Sequence, residues 1–228
     1  MNERRMNLDP RLSAIAELVG RCESYADIGC DHGRLGAFLL KTGQVQRAAL
    51  TDISEDSLTK ARRLIDRLGL NDRVDFKVGD GAGALDRAYP VVVIAGMGGA
   101  LIEKLVREGR ERLGGARLIL QPNVAHCALR KGLMEAGYAI TDERIAPDGR
   151  RNYLIIVAEP GEARYTEREL IAGPVLLKTL PETMEPFAAF YLRVAQKALA
   201  GAEKGGDAAQ IDALVREIAI WEDVLKCL

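Results

Sequence analysis

The sequence predicts an α/β protein in which a mostly parallel, seven-stranded sheet is followed by a C-terminal antiparallel helical hairpin. Short β-rich runs alternate with stretches of helical period up to Pro160-Gly161, and two Ala/Leu-rich helical segments follow that point. With 228 residues, 48% of them hydrophobic, the chain can fill one large core and a small appendage. We therefore expect one domain over residues 1–160 and a helical domain over residues 161–228.

Seven strand candidates account for the sheet. Five of them are separated by helical segments, which indicates parallel strands covered on both faces. These five are Tyr25 to Ile28, Ala48 to Thr51, Val74 to Val78, Val91 to Ala95 and Leu118 to Leu120. Two more, Ala139 to Ile145 and Leu154 to Ala158, follow a helix around Ala128 to Ala136. The turn-prone Pro147-Asp148-Gly149 joins them, so we expect a hairpin that forms an antiparallel edge.

The two C-terminal segments each carry an apolar stripe at helical spacing, and Gly205-Gly206 separates them. The first stripe consists of Phe187, Phe190, Tyr191 and Val194, and the second of Ile211, Leu214, Val215, Ile218, Trp221 and Leu225. Asp207 is a candidate N-cap for the second helix. Two stripes joined by a short turn predict a helical hairpin, which serves either as a packing appendage or as a substrate-binding arm.

Charge and cysteine usage exclude several classes of protein. The net charge of -1 excludes a globally cationic nucleic-acid binder but permits a local basic face. The four cysteines are scattered without a C-x-x-C pair, so neither a disulfide framework nor a metal site is expected. Apolar runs are far shorter than the roughly 20 residues that a membrane span requires. We expect a cytoplasmic, monomeric protein that binds no membrane.

A glycine-bearing loop leads from the first strand into the segment Arg34 to Lys41, which has helical character. The loop Asp27-Ile28-Gly29-Cys30-Asp31-His32-Gly33 is a strand-to-helix turn of the Rossmann-like, nucleotide-binding kind. It lacks a full G-x-G-x-x-G, and Asp31 stands where the pyrophosphate of a dinucleotide would need an uncharged neighbour. The loop therefore favours a cationic ligand.

S-adenosylmethionine (SAM) fits this requirement because it carries an ammonium and a sulfonium, which Asp27 or Asp31 would meet. Asp52 follows Gly29 by about 20 residues, the spacing at which an acid takes ribose hydroxyls, and Asp80 is placed to meet the adenine edge. Each acid alone would more simply cap a turn, but three acids at successive strand ends predict a SAM site. The predicted cofactor-binding residues are Asp27, Gly29, Asp31, His32, Asp52, Ile53, Gly79, Asp80, Gly81, Ala95, Gly96, Met97 and Gly98.

Two later loops are candidates for the acceptor side of the site. Ala95-Gly96-Met97-Gly98-Gly99 follows the fourth strand, either as a tight turn into a helix beginning near Leu101 or as bare backbone that a ligand approaches closely. Gln121-Pro122-Asn123 follows the fifth strand. The side-chain amides of this segment could bond a base edge, and Asn123 could equally cap the next helix.

Four segments together resemble the bacterial tRNA adenine-22 N1-methyltransferase family. They are Asp27 to Gly33, Ile94 to Gly99, Leu120 to Asn123 and Tyr153 to Glu159. Leu12 to Val19, with Arg11, is similar to the family's opening helix, and Gly173 to Leu177 is similar to the start of its coiled-coil-like C-terminal region. The resemblance implies a class I methyltransferase domain and methyl transfer from SAM to N1 of an adenine in the D-arm region of tRNA.

For this reaction Asp31 and Asn123 are the catalytic candidates, Asp31 because a carboxylate would stabilise the positive charge that develops on the purine. Asp31 could alternatively only hold the cofactor. The candidates for binding substrate are Arg11, Gln121, Asn123, Arg150, Arg151 and Tyr153. Tyr153 would stack on an unpaired base or else lie at the core edge. Arg130 is a further candidate for RNA contact, and His126 is expected at the surface.

Two other functions are compatible with the same residues. One is a SAM-dependent methyltransferase that acts on a small molecule or a protein, since the cofactor loops would be unchanged. The other is a non-catalytic module that binds SAM or a nucleotide and whose helical hairpin docks a protein partner.

Overall fold

The structure is a computed structural model that describes residues 6–149, 151–205 and 207–228. The chain forms two compact units, of which the first ends at Ala163 and the second comprises Arg164–Leu228. Arg150, a candidate for substrate binding, and Gly206 of the expected hairpin turn lie outside the described residues.

The first unit is built on the predicted seven-stranded sheet. Its strands are β1 (Cys22–Ile28), β2 (Val45–Asp52), β3 (Val74–Val78), β4 (Val91–Met97), β5 (Arg117–Pro122), β6 (Tyr138–Asp148) and β7 (Arg151–Pro160). They lie in the order β3-β2-β1-β4-β5-β7-β6. Strands β1 to β5 pair in parallel, and β7 runs antiparallel to both β5 and β6. The prediction of a mostly parallel sheet with an antiparallel hairpin at its edge is confirmed.

Helices cover this sheet: α1 (Pro10–Val19), α2 (Arg34–Lys41), α3 (Glu55–Arg67), α4 (Gly99–Glu108), α5 (Arg110–Leu113) and α6 (His126–Glu135). Short 3-10 turns form at Asn71–Arg73 and Gly81–Ala84. The carboxylate of Asp9 caps α1 by accepting a 2.8 Å hydrogen bond from the Leu12 N–H, and Pro10 supplies the first helical residue. The Ser54 hydroxyl caps α3 by accepting from the Ser57 N–H.

The core lies on both faces of the central strands. Five consecutive residues of β1, from Ser24 to Ile28, are buried, as expected of a strand that helices cover on each side. Leu50, Ile94 and Ile119 of the neighbouring strands are completely buried. Because β2 and β4 lie on opposite sides of β1, the strand order reverses at β1, and a ligand-binding crevice is expected beyond its carboxyl end.

The second unit consists of helices α7 (Glu167–Ala172), α8 (Leu176–Thr179), α9 (Met184–Ala202) and α10 (Ala208–Lys226). Helices α9 and α10 pack side by side as the predicted antiparallel hairpin. Asp207 is the N-cap of α10, as predicted, and accepts from the Gln210 N–H at 2.8 Å. Trp221 stacks on Tyr191 with ring centroids 5.9 Å apart and meets Phe187 edge-on at 6.2 Å. No helix in the described ranges has the length and apolarity needed to cross a membrane.

Candidate active site

A cavity of about 630 Å³ opens at the carboxyl ends of β1 to β4, a volume within the usual range for small-molecule sites. The predicted cofactor residues lining it are Asp27, Gly29, Asp31, His32, Asp52, Ile53, Gly79, Asp80, Gly81, Ala95, Gly96 and Met97. Gly98 is not among the lining residues and instead precedes α4 as its N-cap. Arg11, predicted on the substrate side, also lines the cavity.

The loop between β1 and α2 has an unusual backbone conformation. Gly29, Asp31 and Gly33 all have positive φ, at 76°, 49° and 65°. A Cβ at Gly33 would lie 2.8 Å from that of Ala61, so only glycine lets α2 approach α3 this closely. The N–H groups of Gly29 and Cys30 donate to the Thr51 carbonyl, which ties the loop to β2.

Asp52 braces the same loop from the end of β2. Its Oδ2 accepts from the Asp31 N–H at 3.0 Å, and its Oδ1 accepts from the Ser54 N–H at 2.8 Å. Each carboxylate oxygen can accept a further hydrogen bond, so Asp52 retains acceptor capacity toward the cavity. This geometry is compatible with the predicted contact to ribose hydroxyls.

Asp27 and Asp31 lie in contrasting surroundings. The Asp27 side chain is buried beneath the cavity. Its burial, and to a smaller extent the negative charge of Asp52, raise its pKa from 3.8 to about 7, and the positive charge of Arg11 opposes this shift. The Asp31 side chain is 72% exposed, and its Oδ1 lies 3.6 Å from Nε2 of His32. The Arg11 charge therefore does not fully compensate that of Asp27, whereas Asp31 stands at the rim in contact with solvent.

Two apolar side chains and a further aspartate also line the cavity. Ile53 and Leu101 line the cavity with 73% and 47% of their surface exposed, which suits contact with the faces of an aromatic ring. Asp80 precedes the 3-10 turn Gly81–Ala84, but its side chain makes no capping hydrogen bond there. The simple interpretation of Asp80 as a turn cap is thus wrong, and its carboxylate is available to a ligand.

The two predicted acceptor loops meet at Gly96. The Gly96 N–H donates to Oε1 of Gln121 at 3.1 Å, and Nδ2 of Asn123 donates to the Gly96 carbonyl at 2.8 Å. Nε2 of Gln121 donates in turn to Oδ1 of Asn123 at 3.1 Å. Arg11 Nη1 donates to Gln121 Oε1 at 2.8 Å, and the Arg11 guanidinium lies over the Tyr153 ring at 5.6 Å. Four predicted substrate residues are therefore neighbours: Arg11, Gln121, Asn123 and Tyr153.

Gln121 cannot present a free amide to a base. Its side chain is completely buried, Oε1 accepts two hydrogen bonds, and Nε2 donates to both the Pro122 carbonyl and Asn123. The geometry supports a positioning role in place of the expected direct base contact. Arg151, by contrast, is exposed at the start of β7.

Three expectations for the segment after β5 are wrong. Asn123 does not cap the following helix, because α6 begins at His126 after Ala125 in a left-handed conformation. His126 is buried and not at the surface, and burial, followed by the Arg130 charge, lowers its pKa to about 3. Arg130 is fully buried and pairs with Glu143 at 2.8 Å, so it is not available to RNA. Sequence spacing held no sign of this partner because Glu143 comes from the adjacent strand β6.

In the described part of the chain, no group of three or more His, Cys, Asp or Glu side chains is arranged to hold a metal ion. The four cysteines are free thiols. A cation of the size of SAM is compatible with this cavity, because the buried carboxyl of Asp27 lines it together with Asp31, Asp52 and Asp80.

Comparison with known proteins identifies the class of enzyme. A family model described as a methyltransferase domain matches residues 8–156, which include every strand end around the cavity. The chain is 30% identical over 242 residues to the tRNA (adenine(22)-N(1))-methyltransferase of Bacillus subtilis, covering 99% of this chain and 98% of that protein. The chain belongs to this family of methyltransferases.

Solved structures agree with this assignment. The crystal structure of the B. subtilis m1A22 tRNA methyltransferase superposes with a TM-score of 0.88 at 27% identity, covering 97% of this chain and all of that one. A Streptococcus pneumoniae protein crystallised in complex with S-adenosyl-L-methionine superposes with a TM-score of 0.85 at 28% identity, covering 96% of this chain and all of that one.

Proposed function

We propose that this chain transfers a methyl group from SAM to N1 of an adenine in tRNA, at position 22 in the D-arm region. The observation that carries the proposal is the acid-rich cavity at the ends of β1, β2 and β3, in a chain similar over 99% of its length to a protein with that activity. The first unit, corresponding to the predicted domain 1–160, would bind the cofactor.

Different residues of the cavity would contact different parts of SAM. Asp27 and the loop up to Gly33 would take the amino-acid end, with the α2 N-terminus facing its carboxylate. Asp52 would accept the ribose hydroxyls, while Asp80 and the exposed Ile53 would meet the adenine edge and face. When bound, SAM supplies an activated methyl group. Strands β2 and β4 flank β1 on opposite sides. With the ribose at β2, the methyl group of SAM would therefore point toward Gly96 on β4.

The chain's own contribution to rate is chiefly positioning. Adenine N1 has an in-plane lone pair and needs no covalent enzyme intermediate, so alignment of N1 with the methyl group supplies most of the acceleration. N1 is hidden in a paired or stacked base, which must therefore be extruded, at a cost of a few kcal/mol. Asp31, exposed at the cavity rim, is the carboxylate we assign to stabilising the charge that develops on the purine.

Labelled methyl transfer tests the activity. Purified protein and radiolabelled SAM are incubated with total tRNA, a protein extract and a metabolite pool in parallel, and tRNA is then digested for mass spectrometry. We expect N1-methyladenosine, mapped to position 22. Label in protein or metabolites alone would instead support a methyltransferase with another acceptor, and SAM binding without transfer to any pool would support a non-catalytic module.

The role of Asp31 is tested separately with Asp31→Ala. We expect kcat to fall by about tenfold at most, because solvent screens the charge of a carboxylate that is 72% exposed, and SAM affinity to fall by less than kcat. Unchanged turnover would remove Asp31 from the catalytic role, and abolished SAM binding would reassign it to cofactor binding. We further propose that the protein works as a monomer in the cytoplasm, which light scattering during size-exclusion chromatography and cell fractionation would check.

A further inference from the structure

Gly96 is the extra residue of a β-bulge. The pairing of β4 with β5 goes from Ala95–Gln121 directly to Met97–Pro122, so Gly96 has no partner in the ladder. Its φ of 79° is one that glycine adopts without strain. The side chains of Gln121 and Asn123, from β5 and its following loop, contact the N–H and the C=O of Gly96, one each.

Hydrogen-bond chemistry sets the polarity of this ring of three residues. The Gly96 N–H can only donate, so the amide of Gln121 must turn its oxygen toward Gly96 and its nitrogen toward Asn123. Asn123 then faces Gln121 with its oxygen and the Gly96 carbonyl with its nitrogen. Arg11 reinforces this arrangement because a guanidinium only donates, and it contacts the same Gln121 oxygen.

The ring has a buried base and an exposed rim. Gln121 is completely buried, whereas Gly96 and Asn123 are both exposed, and Gly96 lines the cavity. One N–H and one oxygen lone pair of Asn123, and one lone pair of the Gly96 carbonyl, make no hydrogen bond within the described residues. Leu101 and Val124, 47% and 61% exposed, provide apolar surface on the loops that follow the two strands.

We propose that the Gly96 carbonyl and the Asn123 amide oxygen recognise the exocyclic amino group of the acceptor adenine, and that Arg11 and Gln121 are positioning residues that hold these two acceptors in place. This inference rests on the proposed function. Adenine presents an amino donor beside N1, whereas guanine presents a carbonyl oxygen there, which two protein acceptors would repel. A pair of acceptors at this point thus selects adenine and leaves N1 uncovered.

The same contact would assist the reaction itself. As the N1 lone pair forms the new N–C bond, the methyl–sulfur bond breaks with its electron pair remaining on sulfur, so the positive charge passes to the purine. That charge is shared with the amino nitrogen, whose N–H groups become stronger donors in the transition state. Fixed acceptors there bind the transition state more tightly than the ground state.

A substrate analogue tests recognition directly. The chain is assayed with tRNA assembled from two pieces, carrying either adenosine or purine riboside, which lacks the amino group, at the methylated position. The ratio of kcat/KM for adenosine over purine riboside is compared between wild type and Asn123→Ala. We expect the ratio to fall about tenfold in the variant, the value of one or two hydrogen bonds. Differences in intrinsic reactivity between the two bases cancel in this comparison.

Gln121→Glu tests the positioning role. The glutamate would still accept from Gly96 and form an ion pair with Arg11, but it cannot donate to Asn123 or to the Pro122 carbonyl. The Asn123 amide must then reverse and turn its oxygen against the Gly96 carbonyl. We expect kcat to fall about tenfold or more with SAM affinity near wild type, and Tm to fall as well because the Pro122 carbonyl loses its donor. Arg11→Ala should lower kcat in the same way, and Arg11→Lys, which keeps one donor, should restore part of it.

The matched control is Gln44→Glu, whose amide contacts the Ala16 carbonyl near the opposite end of β2. This variant should keep both kcat and the base ratio. An unchanged base ratio in Asn123→Ala, together with normal kcat in Gln121→Glu, would overturn the inference while leaving tRNA methylation intact. Absence of any methyladenosine with the wild-type chain would instead overturn the proposed function.

Discussion

A single carboxyl group, that of Asp27, is expected to make cofactor binding depend on pH. Burial raises its pKa to about 7, so in the empty protein it is largely protonated below neutral pH. A raised folded-state pKa means that proton binding stabilises the folded protein at low pH, and that this contribution disappears as pH rises from about 4 through 7. Above pH 7 the empty protein holds a buried anion, which a cationic ligand would neutralise.

Asp27→Asn should therefore separate stability from binding. We expect the empty variant to be more stable than wild type at pH 8, by at most about 4 kcal/mol, with the difference vanishing near pH 4. We also expect the Kd of wild type for SAM to fall between about pH 5.5 and 7.5, and the variant to bind weakly at every pH. Thermal melts and calorimetric titrations measure the two effects. A wild-type Kd independent of pH in this range would contradict the assignment.

A second buried charge, that of Arg130, is held in an ion pair. Its ion pair with Glu143 at 2.8 Å has both side chains fully buried. Removing one partner leaves the other charge uncompensated, so Arg130→Met should lower the free energy of unfolding by about 3–5 kcal/mol. The double variant Arg130→Met/Glu143→Leu should recover most of that decrease. The control is Lys131→Met, because the pair of Lys131 with Glu135 is 61% exposed on each side and should contribute under about 0.5 kcal/mol. Urea unfolding compares the three, and additive decreases in the double variant would contradict the coupling.

At the scale of elements, the sequence predicted the interiors of the strands better than their ends. The helix Arg34–Lys41 and the strand Val74–Val78 have the predicted limits, because hydrophobic period and turn residues mark both ends. Strand β4 runs two residues past Ala95, since a bulge that no local pattern reveals extends its pairing. Helix α6 begins at His126, earlier than predicted, directly after Ala125, whose left-handed conformation the sequence does not reveal.

The start of α4 depends on the absence of a side chain at Gly99. A Cβ there would lie 2.5 Å from the Ala125 carbonyl oxygen and 2.7 Å from that of Val124, both backbone atoms that cannot turn away. Gly99→Ala should therefore lower the free energy of unfolding by about 1–3 kcal/mol and weaken methyl transfer, since the loop carrying Asn123 must shift. Gly115→Ala is the control, because nothing lies within 4 Å of its added Cβ. Equal unfolding midpoints for the two variants would contradict the close packing.

The candidate site could be predicted in part because it follows from topology. Parallel strands end at one edge, so acids placed at or near the ends of β1, β2 and β3 had to converge, and Asp27, Asp52 and Asp80 do line one cavity. The ring joining Gly96, Gln121 and Asn123 could not be predicted. Its hydrogen bonds depend on the register of two strands and on amide orientations, which a linear sequence does not encode locally.

On the scale of the whole molecule, attraction to RNA has to be local, because the net charge is only -1. Several arginines are already engaged: Arg34 with Asp9, Arg107 with Glu103, and Arg73 with three backbone carbonyls. Arg151 is exposed at the start of β7, two residues from Tyr153, whose ring lies beneath Arg11 at the cavity. The beginning of β7, beside the acceptor side of the site, is thus where a phosphate contact is best placed.

Arg151→Glu tests this placement through the salt dependence of tRNA binding. Removing one phosphate contact should reduce the slope of log K against log salt by about 0.7 to 0.9, so we expect weaker binding at low salt and a shallower slope. Arg107→Glu changes the net charge equally, but Arg107 already pairs with Glu103 on α4, so its slope should match wild type. Fluorescence anisotropy with labelled tRNA at several salt concentrations measures all three proteins. If both variants weakened binding equally, net charge and not a contact at Arg151 would account for the effect.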